Sequence, residues 1–292
     1  MEHYDIIIVG AGLAGLTAAL DLTLKKHSVL VIEKDTFPRH KVCGEYVSNE
    51  VHDYLDHLGV GLEEVRPISI NTLLLSTGKG KSVKTKLPLG GFGISRYTFD
   101  NLLYQKAVSL GANFLFQKVA SISFQNNGFK VFTNINRAFT SKFVIGAFGK
   151  RSNIDKSLDR AFIKRKSHWL GIKSHYVYDD FPDDLVALHT FKGGYGGLSK
   201  TESGALNFCY LATYKSFQKY KSVQEFNENV ISQNPHLRTF LKDAKPIFEE
   251  PLSIAQISFH KKGSRREPYS DVWRFGGIDT SALWEWYGDG YT

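Results

Sequence analysis

The sequence is poor in cysteine, with two in 292 residues. Cys43 and Cys209 lie far apart and form no CxxC pair, which argues against a disulfide framework or a zinc site and fits a reducing compartment. The sequence has no run of about 18 apolar residues, so it predicts no transmembrane helix. It also begins without the basic segment and apolar stretch of a signal peptide. We therefore expect a cytoplasmic protein.

Patterns for metal binding or for nucleophilic catalysis are also missing. No HExxH sequence occurs, and no Ser/His/Asp arrangement is suggested. His52 and His57 lie five positions apart on a predicted helix, where their side chains diverge. The sequence therefore predicts that the histidines form no site and that no metal is bound.

The charge is unbalanced, with a formal net charge of +8, although 42% hydrophobic and 23% charged residues are typical of a globular protein. Basic clusters occur at residues 164–166, at Lys261-Lys262 and at Arg265-Arg266. None lies in a nucleic-acid-binding motif, so we predict no nucleic-acid partner. The clusters are most simply a solvated face. The alternative is a surface that docks an acidic partner, such as a carrier protein bearing the substrate or a reductase.

The first 33 residues predict a β-strand, a helix and a second strand. Residues 5–9 are an apolar run of strand length, as in a parallel strand that is buried on both faces. Leucines then recur at helical spacing over residues 13–24, and cations at residues 25–26 suit the end of the helix. Residues 28–32 form the second strand, which Glu33 closes.

The turn between the first strand and the helix contains the dinucleotide-binding pattern GxGxxG in its full context. Gly10 permits the tight turn, Gly12 lets a pyrophosphate approach the backbone, and Gly15 lets the helix pack closely on the strand. The helix N-terminus then favours the anion. Glu33 can accept hydrogen bonds from the ribose hydroxyls of an adenosine half.

The rest of the chain predicts strands and helices in mixed order. Residues 34–47 are loop-like, and Asn49 to Leu58 reads as a helix. Thr98 to Leu110 predicts another helix, with Thr98 as N-cap and Gly111 just beyond its end. The remaining predictions are a hairpin of residues 68–76 and 81–87, short strands at 114–116, 119–124, 129–133 and 138–145, a β-rich segment at 167–213 and a helical one at 222–242.

Four later segments resemble one family in the same order along the chain. They are Pro38–Glu45, Ile94–Arg96 with Phe99–Leu103, Val144–Ser152, and Gly276-Gly277 with Gly288–Gly290. They are similar to the geranylgeranyl reductase-like branch of FAD-dependent oxidoreductases, whose superfamily includes aromatic hydroxylases and flavin-dependent halogenases. In that family the arginine corresponding to Arg96 reaches the flavin cofactor.

The resemblance implies an α/β fold: a Rossmann-like FAD-binding domain of the glutathione reductase type with an inserted β-rich α+β substrate domain. The expected FAD-binding domain comprises residues 1–66 and 94–157, and the substrate domain residues 67–93 and 158–266. Residues 267–292 would return to the FAD-binding domain and leave it incomplete.

Three departures from the family pattern stand out. Phe148 occupies a position where many relatives have Asp, although Gly146 and Gly149 can preserve the turn. Ile278 stands where an Asp usually meets the ribityl chain, with Asp279 one residue away. The chain also stops at Thr292, before the helix that follows Gly-Asp-Gly in relatives. The sequence is therefore either a fragment or a degraded member of the family.

The substrate half contains no second nucleotide fingerprint. The glycine-rich segment Phe191–Leu198 lacks the third glycine at the required spacing and predicts a turn or a close backbone approach. NAD(P)H would therefore bind transiently, or a partner would supply electrons. Trp284-Glu285-Trp286 resembles a halogenase motif superficially, but it lies in the wrong place.

These observations predict an FAD-dependent oxidoreductase that acts on an apolar or aromatic small molecule, either by alkene reduction or by oxygen-dependent hydroxylation. The alternative is a truncated, impaired homologue that acts as a binding protein or is inactive. Cys43 is a weak catalytic candidate, and an ordinary small buried side chain is the competing interpretation. The expected cofactor-binding residues are Gly10, Gly12, Leu13, Ala14, Gly15, Glu33, Lys34, Arg39, Lys41, Cys43, Gly44, Arg96, Val119, Gly149, Gly277, Asp279, Gly288 and Gly290.

Overall fold

The protein is described here from a computed structural model that covers residues 1–149, 152–157 and 167–257. The basic clusters at 164–166, 261–262 and 265–266 lie outside the described residues. The same holds for Gly277, Ile278, Asp279, Trp284, Glu285, Trp286, Gly288 and Gly290. Within the described part, no helix is long and apolar enough to span a membrane.

The N-terminal half is built on a six-stranded sheet. Its strands are β1 (Glu2–Val9), β2 (Val29–Glu33), β6 (Asn113–Phe116), β7 (Val119–Gln125), β8 (Gly128–Thr133) and β9 (Ala138–Gly146). Their order across the sheet is β6-β2-β1-β9-β8-β7. β1 pairs in parallel with both β2 and β9, and β2 pairs in parallel with β6, whereas β7, β8 and β9 pair antiparallel. Every residue of β2 is buried, as its continuous apolar run predicts.

Two helices cover one face of this sheet. They are α1 (Leu13–Leu24) and α3 (Arg96–Ser109), and both contribute to the apolar cluster around Leu16, Leu20 and Leu103. The sequence was wrong about the start of α3. Ser95 is the N-cap, and its hydroxyl accepts a hydrogen bond from the Thr98 backbone N–H. Gly111 has a φ of +103° just beyond the helix, as predicted.

The second sheet has nine strands. They are β3 (Tyr46–Ser48), β4 (Ile68–Ser76), β5 (Ser82–Gly93), β10 (Trp169–Val177), β11 (Leu185–Phe191), β12 (Gly194–Lys200), β13 (Leu206–Thr213), β14 (Lys245–Pro246) and β15 (Leu252–Ile257). The order is β14-β10-β13-β12-β11-β4-β5-β3, with β15 paired to β10. β4 and β11 pair in parallel, and the other pairs are antiparallel.

Short helices pack on one face of the second sheet. They are α5 (Tyr214–Phe217), α6 (Val223–Asn229) and α7 (Pro235–Asp243), while α2 (His52–His57) and α4 (Asn153–Ser157) belong to the first half. The predicted helix at 49–58 begins as a 3-10 turn over Asn49–Val51. The predicted helix at 222–242 is interrupted before Pro235, as expected, because proline starts a new helix more readily than it continues one.

Two predicted boundaries need correction. β5 continues to Gly93 rather than ending near residue 87, and the predicted loop at 34–47 ends in β3, which pairs with that extension. Tyr46–Ser48 thus belongs to the second sheet. The predicted domain boundaries themselves stay a prediction.

Candidate functional site

The glycine turn after β1 has three glycines with three different surroundings. Gly10 has a φ of +99°, and a Cβ there would lie 2.5 Å from the carbonyl oxygen of Ala147. A Cβ on Gly15 would lie 2.0 Å from the carbonyl oxygen of Gly10. A Cβ on Gly12 would meet nothing within 4 Å. Gly10 and Gly15 therefore let the protein pack on itself, whereas the absent side chain of Gly12 leaves space for something else.

The open space lies at the N-terminus of α1. Gly12 is the N-cap residue, no side chain caps the helix, and no acidic residue stands in its first turn. Leu13 and Ala14 begin the helix in that turn. Uncapped backbone N–H groups and the positive end of the helix dipole suit a phosphate group. These residues fit the pyrophosphate of a dinucleotide.

Glu33 lies beside the same turn at the end of β2. Its carboxylate accepts hydrogen bonds from the Ala11 N–H at 2.7 Å and from the Asp35 N–H at 3.1 Å. Arg39 places a guanidinium nitrogen 3.3 Å from Glu33. The buried carboxylate is thus fixed next to the glycine turn, where an adenosine ribose would be expected. Lys34 is exposed and lies 3.6 Å from Asp35.

Two further predicted cofactor residues lie in or just after other strands of the first sheet. Val119 begins β7, and its buried side chain belongs to an apolar cluster with Val9 and Ile32. Gly149 follows β9 with a φ of +72°, and a Cβ there would meet nothing within 4 Å. The turn before it survives with Phe148, because the Ala147 N–H still bonds to the Val9 carbonyl at 2.8 Å and Phe148 packs against the core.

The N-terminus of α3 carries a buried cluster of two cations and one acid. Arg96 donates to both oxygens of Asp100, at 2.6 and 2.9 Å, and the Lys41 ammonium lies 2.6 Å from the same carboxylate. Burial opposes ionisation of Asp100, but Arg96 and Lys41 hold the pKa of this carboxyl below its ordinary value. Burial lowers the pKa of Lys41. The cluster therefore places net positive charge beside the loop of residues 39–45.

The loop between residues 39 and 45 is anchored to the second sheet through its backbone. The Asn207 side-chain amide donates to the carbonyl oxygens of Gly44, at 2.7 Å, and Cys43, at 3.3 Å. The Ser199 hydroxyl donates to the Gly44 carbonyl at 3.1 Å. Cys43 is half-buried, and its thiol lies close enough to Arg96 to raise the pKa of that guanidinium. A Cβ on Gly44 would meet nothing within 4 Å, so this backbone is open to a ligand.

Glu45 joins the loop, helix α3 and the second sheet. Its carboxylate accepts hydrogen bonds from the Lys173 ammonium, from His175 Nε2 at 2.6 Å and from the Arg96 backbone N–H at 2.7 Å. Glu45, Lys173 and His175 are all buried. Burial would raise the pKa of Glu45, but the hydrogen bond from His175 and the charge of Lys173 hold it below its ordinary value. Glu45 therefore stays ionised inside the protein.

His40 completes this buried cluster. Its ring lies 4.7 Å from Tyr97, 5.2 Å from His175 and 4.6 Å from Phe248, measured between ring centroids. Its Nδ1 has no hydrogen-bond partner among the described residues. Burial and the neighbouring Lys173 charge lower the pKa of His40. His40 and His175 thus converge on Glu45, a proximity that the sequence did not indicate, while the expectation that the histidines form no site stays a prediction.

Donor atoms of His40, Glu45 and His175 lie within 4.8 Å of one another, which is a spacing that a transition metal could use. The Lys173 ammonium already occupies one oxygen of Glu45, however. A second cation beside this buried positive charge would be repelled. The cluster is therefore better suited to holding and moving a proton, and the absence of a metal stays a prediction.

Sequence reasoning missed the groups that the second sheet contributes to this site. Glu45 and Asp100 lie within segments that resemble the family, but no local pattern marks them as site residues. Lys173 and His175 carry a weak signal, because a lysine and a histidine two positions apart in a largely apolar strand lie on one face. Glu202 was missed as well, and its carboxylate accepts hydrogen bonds from the Ser95 N–H at 2.6 Å and the Thr98 hydroxyl at 2.6 Å.

A family comparison matches most of this chain. The sequence model of the family described as "FAD binding domain" matches residues 3–239. The match spans the glycine turn, the loop that carries Cys43 and the strands that hold Lys173 and His175. It thus includes both the candidate pyrophosphate site and the buried cluster around Glu45.

Two curated relatives and one solved structure are similar to the chain. Menaquinone reductase of Mycobacterium tuberculosis is 27% identical over 70% of this chain and 54% of its own. A 1H-pyrrole-2-carbonyl-[peptidyl-carrier protein] brominase of Pseudoalteromonas luteoviolacea is 25% identical over 66% of this chain and 46% of its own. The chain spans about half the length of these relatives.

The solved structure is a flavoprotein/dehydrogenase from Cytophaga hutchinsonii. It superposes with a TM-score of 0.73 at 19% identity and covers 87% of this chain and 66% of its own. At this identity the likeness establishes the fold alone. It confirms the predicted α/β class with a β-rich second part.

Proposed function

Because the chain belongs to the FAD binding domain family, we propose that it is an FAD-dependent oxidoreductase that acts on an apolar or aromatic small molecule. The observation that carries the proposal is the continuity of two sites. Glu33 lies beside the open glycine turn at Gly12 and pairs with Arg39, which begins the loop that continues to Cys43–Glu45. A dinucleotide that spans them would have its phosphates at the turn and its redox-active ring at the loop.

The adenosine end would be held mainly by backbone groups. Gly10, Gly12, Leu13, Ala14 and Gly15 would bind the pyrophosphate at the helix N-terminus. Two groups beside the turn, Glu33 and Arg39, would orient the ribose and the phosphates. Lys34, Val119 and Gly149 are the remaining proposed contacts of this end.

The ring end would be held by the loop and by helix α3. Lys41, Cys43, Gly44 and Arg96 are the proposed contacts there, and the net positive charge of the Arg96–Asp100–Lys41 cluster suits the negative charge that a flavin ring gains on reduction. Bound FAD would supply the two-electron chemistry, while the chain would orient the substrate and handle protons.

We favour alkene reduction over hydroxylation. Reduction of a carbon–carbon double bond adds a hydride to one carbon and a proton to the other, so the site must supply a proton. The Cys43 thiol and the nitrogens of His40 and His175 are proton-bearing groups at the same loop. One relative is by name a reductase, and its similarity covers 70% of this chain.

The visible spectrum of the purified protein is the first test. A flavin absorption band near unit stoichiometry is expected, and Gly12→Val should lose it because the new side chain would fill the space left for the pyrophosphate. The variant should keep its circular-dichroism spectrum, since no protein atom lies within 4 Å of that Cβ. A colourless wild-type protein that cannot be reconstituted with FAD would instead support the inactive or binding-protein alternative.

Oxygen consumption separates the two chemistries. With NADH or NADPH as donor and a quinone or a polyunsaturated isoprenoid as trial substrate, reduction should proceed equally well without oxygen. Oxygen uptake coupled to product would show hydroxylation instead. If neither nicotinamide reduces the bound flavin, a partner reductase is the electron source.

An acidic carrier protein is the proposed macromolecular partner. The brominase relative acts, by its name, on a carrier-bound substrate. In this chain, residues 65–99 contain no Asp or Glu, whereas Lys79, Lys81, Lys84 and Lys86 lie together on the β4–β5 hairpin. Binding of an acyl carrier protein should weaken steeply between low and high salt, and binding without salt dependence would refute this partner.

A further inference from the structure

A cavity of about 340 Å³ lies between the second sheet and helix α7. Leu74, Ala187 and Leu198 form its floor and are adjacent across β4, β11 and β12. Tyr178, Phe181 and Phe240 form its aromatic walls. This volume is at the small end of the range for ligand sites and fits one substituted aromatic ring.

The cavity lies on the opposite face of the sheet from the proposed FAD site. Side chains alternate between the two faces of a strand, so Leu198 and Ser199 point in opposite directions. Ser199 bonds to the Gly44 carbonyl on the cofactor side. Leu198 therefore faces away from the cofactor, and a ligand in this cavity would be separate from both FAD and substrate.

His189 is a buried polar group in the cavity wall, and only one of its two ring nitrogens is paired with a described residue. It is 3% exposed, and its Nδ1 lies 2.7 Å from the Ser76 hydroxyl oxygen. Asn234 Nδ2 lies 2.9 Å from that same oxygen and 3.1 Å from the carbonyl oxygens of Thr77 and Thr190, and it can donate to two of the three. When one donation goes to Ser76, the serine proton can be donated to His189 Nδ1. His189 Nε2 then carries the ring proton, and no described residue accepts it. Burial and the neighbouring His236 lower the pKa of His189 to about 4, so the ring is neutral at pH 7.

His236 lies beside His189 with its ring centroid 5.3 Å away. Its Nε2 lies 3.2 Å from the Gly80 carbonyl oxygen and can donate to it. That donation would use the His236 proton within the protein, so His189 Nε2–H is the buried donor that remains for a ligand. No described residue pairs with this donor, so a bound molecule that offers an acceptor would gain a hydrogen bond there.

We propose that this cavity is a second ligand site, which binds a small neutral aromatic molecule through a hydrogen bond from His189 Nε2–H to a carbonyl or ether oxygen of the ligand. The aromatic walls and apolar floor supply most of the contact area. The buried His189 donor sets the requirement for an acceptor oxygen on the ligand. Asp180, at the exposed rim, disfavours an anionic ligand.

Titration of the full chain with methyl benzoate, followed by saturation-transfer NMR and calorimetry, tests this site. Propylbenzene, which has a similar shape and no acceptor, is the matched probe. We expect methyl benzoate to bind several-fold to about tenfold more tightly, as one hydrogen bond in an apolar site allows. His189→Leu should bring the two affinities within twofold of each other.

Filling the cavity from its rim gives a variant that does not disturb the core. Thr239 is exposed and lines the cavity, so Thr239→Trp should abolish binding of both probes. Lys242→Trp, on the same helix but outside the cavity, is the control and should bind like wild type. Gly12→Val should lose FAD but keep methyl benzoate, which separates this site from the proposed function. Equal affinity of the wild type for the two probes, or unchanged binding in Thr239→Trp, would overturn the proposal.

Discussion

The two sheets of this protein place their polar groups differently. In the six-stranded sheet, β2 is buried along its whole length, and the groups suited to binding lie at strand ends, in the turn from Gly10 to Gly15 and at Glu33. In the nine-stranded sheet, polar groups lie within the strands themselves, as at Lys173 and His175. A binding site formed by backbone groups depends on a short local sequence, whereas one formed by side chains from several strands depends on how those strands align. A single stretch of sequence can therefore reveal the glycine turn, but it cannot reveal the cluster around Lys173 and His175.

The largest expected effect is at the backbone-built turn of the first sheet. Gly15→Val should destabilise the protein by more than about 4 kcal/mol, because a Cβ 2.0 Å from the Gly10 carbonyl oxygen cannot be accommodated without moving α1 away from β1. Urea denaturation followed by circular dichroism measures this. Gly12→Val is the matched control and should unfold near the midpoint of the FAD-free wild-type protein, because loss of bound FAD alone lowers the midpoint. Equal destabilisation of the two variants would contradict the conclusion that Gly15 is needed for packing and Gly12 for ligand binding.

The second sheet should be sensitive at Glu45. Glu45→Gln should cost about 3–5 kcal/mol, since it leaves the buried Lys173 ammonium without a counter-charge. The double variant Glu45→Gln with Lys173→Met should recover a large part of that loss, because no buried charge is then left alone. Chemical denaturation of the four proteins in the cycle gives the coupling free energy. Simple additivity of the two single changes would show that the pair does not act as a unit.

A smaller effect is expected from pH at the outer face of the second sheet. The pKa of His189 is lowered to about 4 in the folded protein, against 6.5 when unfolded. Between pH 6.5 and pH 4, the unfolded chain therefore binds a proton at this histidine that the folded chain does not bind. The free energy of unfolding falls by about 3 kcal/mol as the pH drops over this range. His189→Gln should remove this part of the pH dependence.

The smallest effect is expected at the N-terminus of α3, where the predicted N-cap is Thr98 and the observed one is Ser95. Ser95→Ala should cost about 1 kcal/mol, because the Ser95 hydroxyl accepts the Thr98 N–H at the start of α3. Thr98→Val should cost less, since it removes a bond to Glu202 but no capping acceptor. Thermal unfolding of both variants measures the difference. A larger loss of stability in Thr98→Val than in Ser95→Ala would instead support Thr98 as the N-cap, as the sequence predicts.

The sequence could predict what depends on neighbours along the chain. The βαβ unit follows from apolar periodicity and three glycines, and the turn at Asn126-Asn127 follows from two residues that tolerate positive φ. The parallel pairing of β4 with β11 could not be foreseen, because it joins segments more than a hundred residues apart. Glu45 was not selected for the same reason: its partners Lys173 and His175 become meaningful only once β10 faces the loop.

The loop at Glu45 also has a consequence for how the chain assembles. Its carboxylate pairs with groups that lie 128 and 130 positions later in the sequence. During synthesis from the N-terminus, the first strands and helix can form while this acid still lacks its counter-ion. Contacts of such long sequence separation form late in folding. The loop proposed to hold the flavin should therefore be among the last parts to become ordered, so cofactor capture would follow synthesis of β10 and could not precede it.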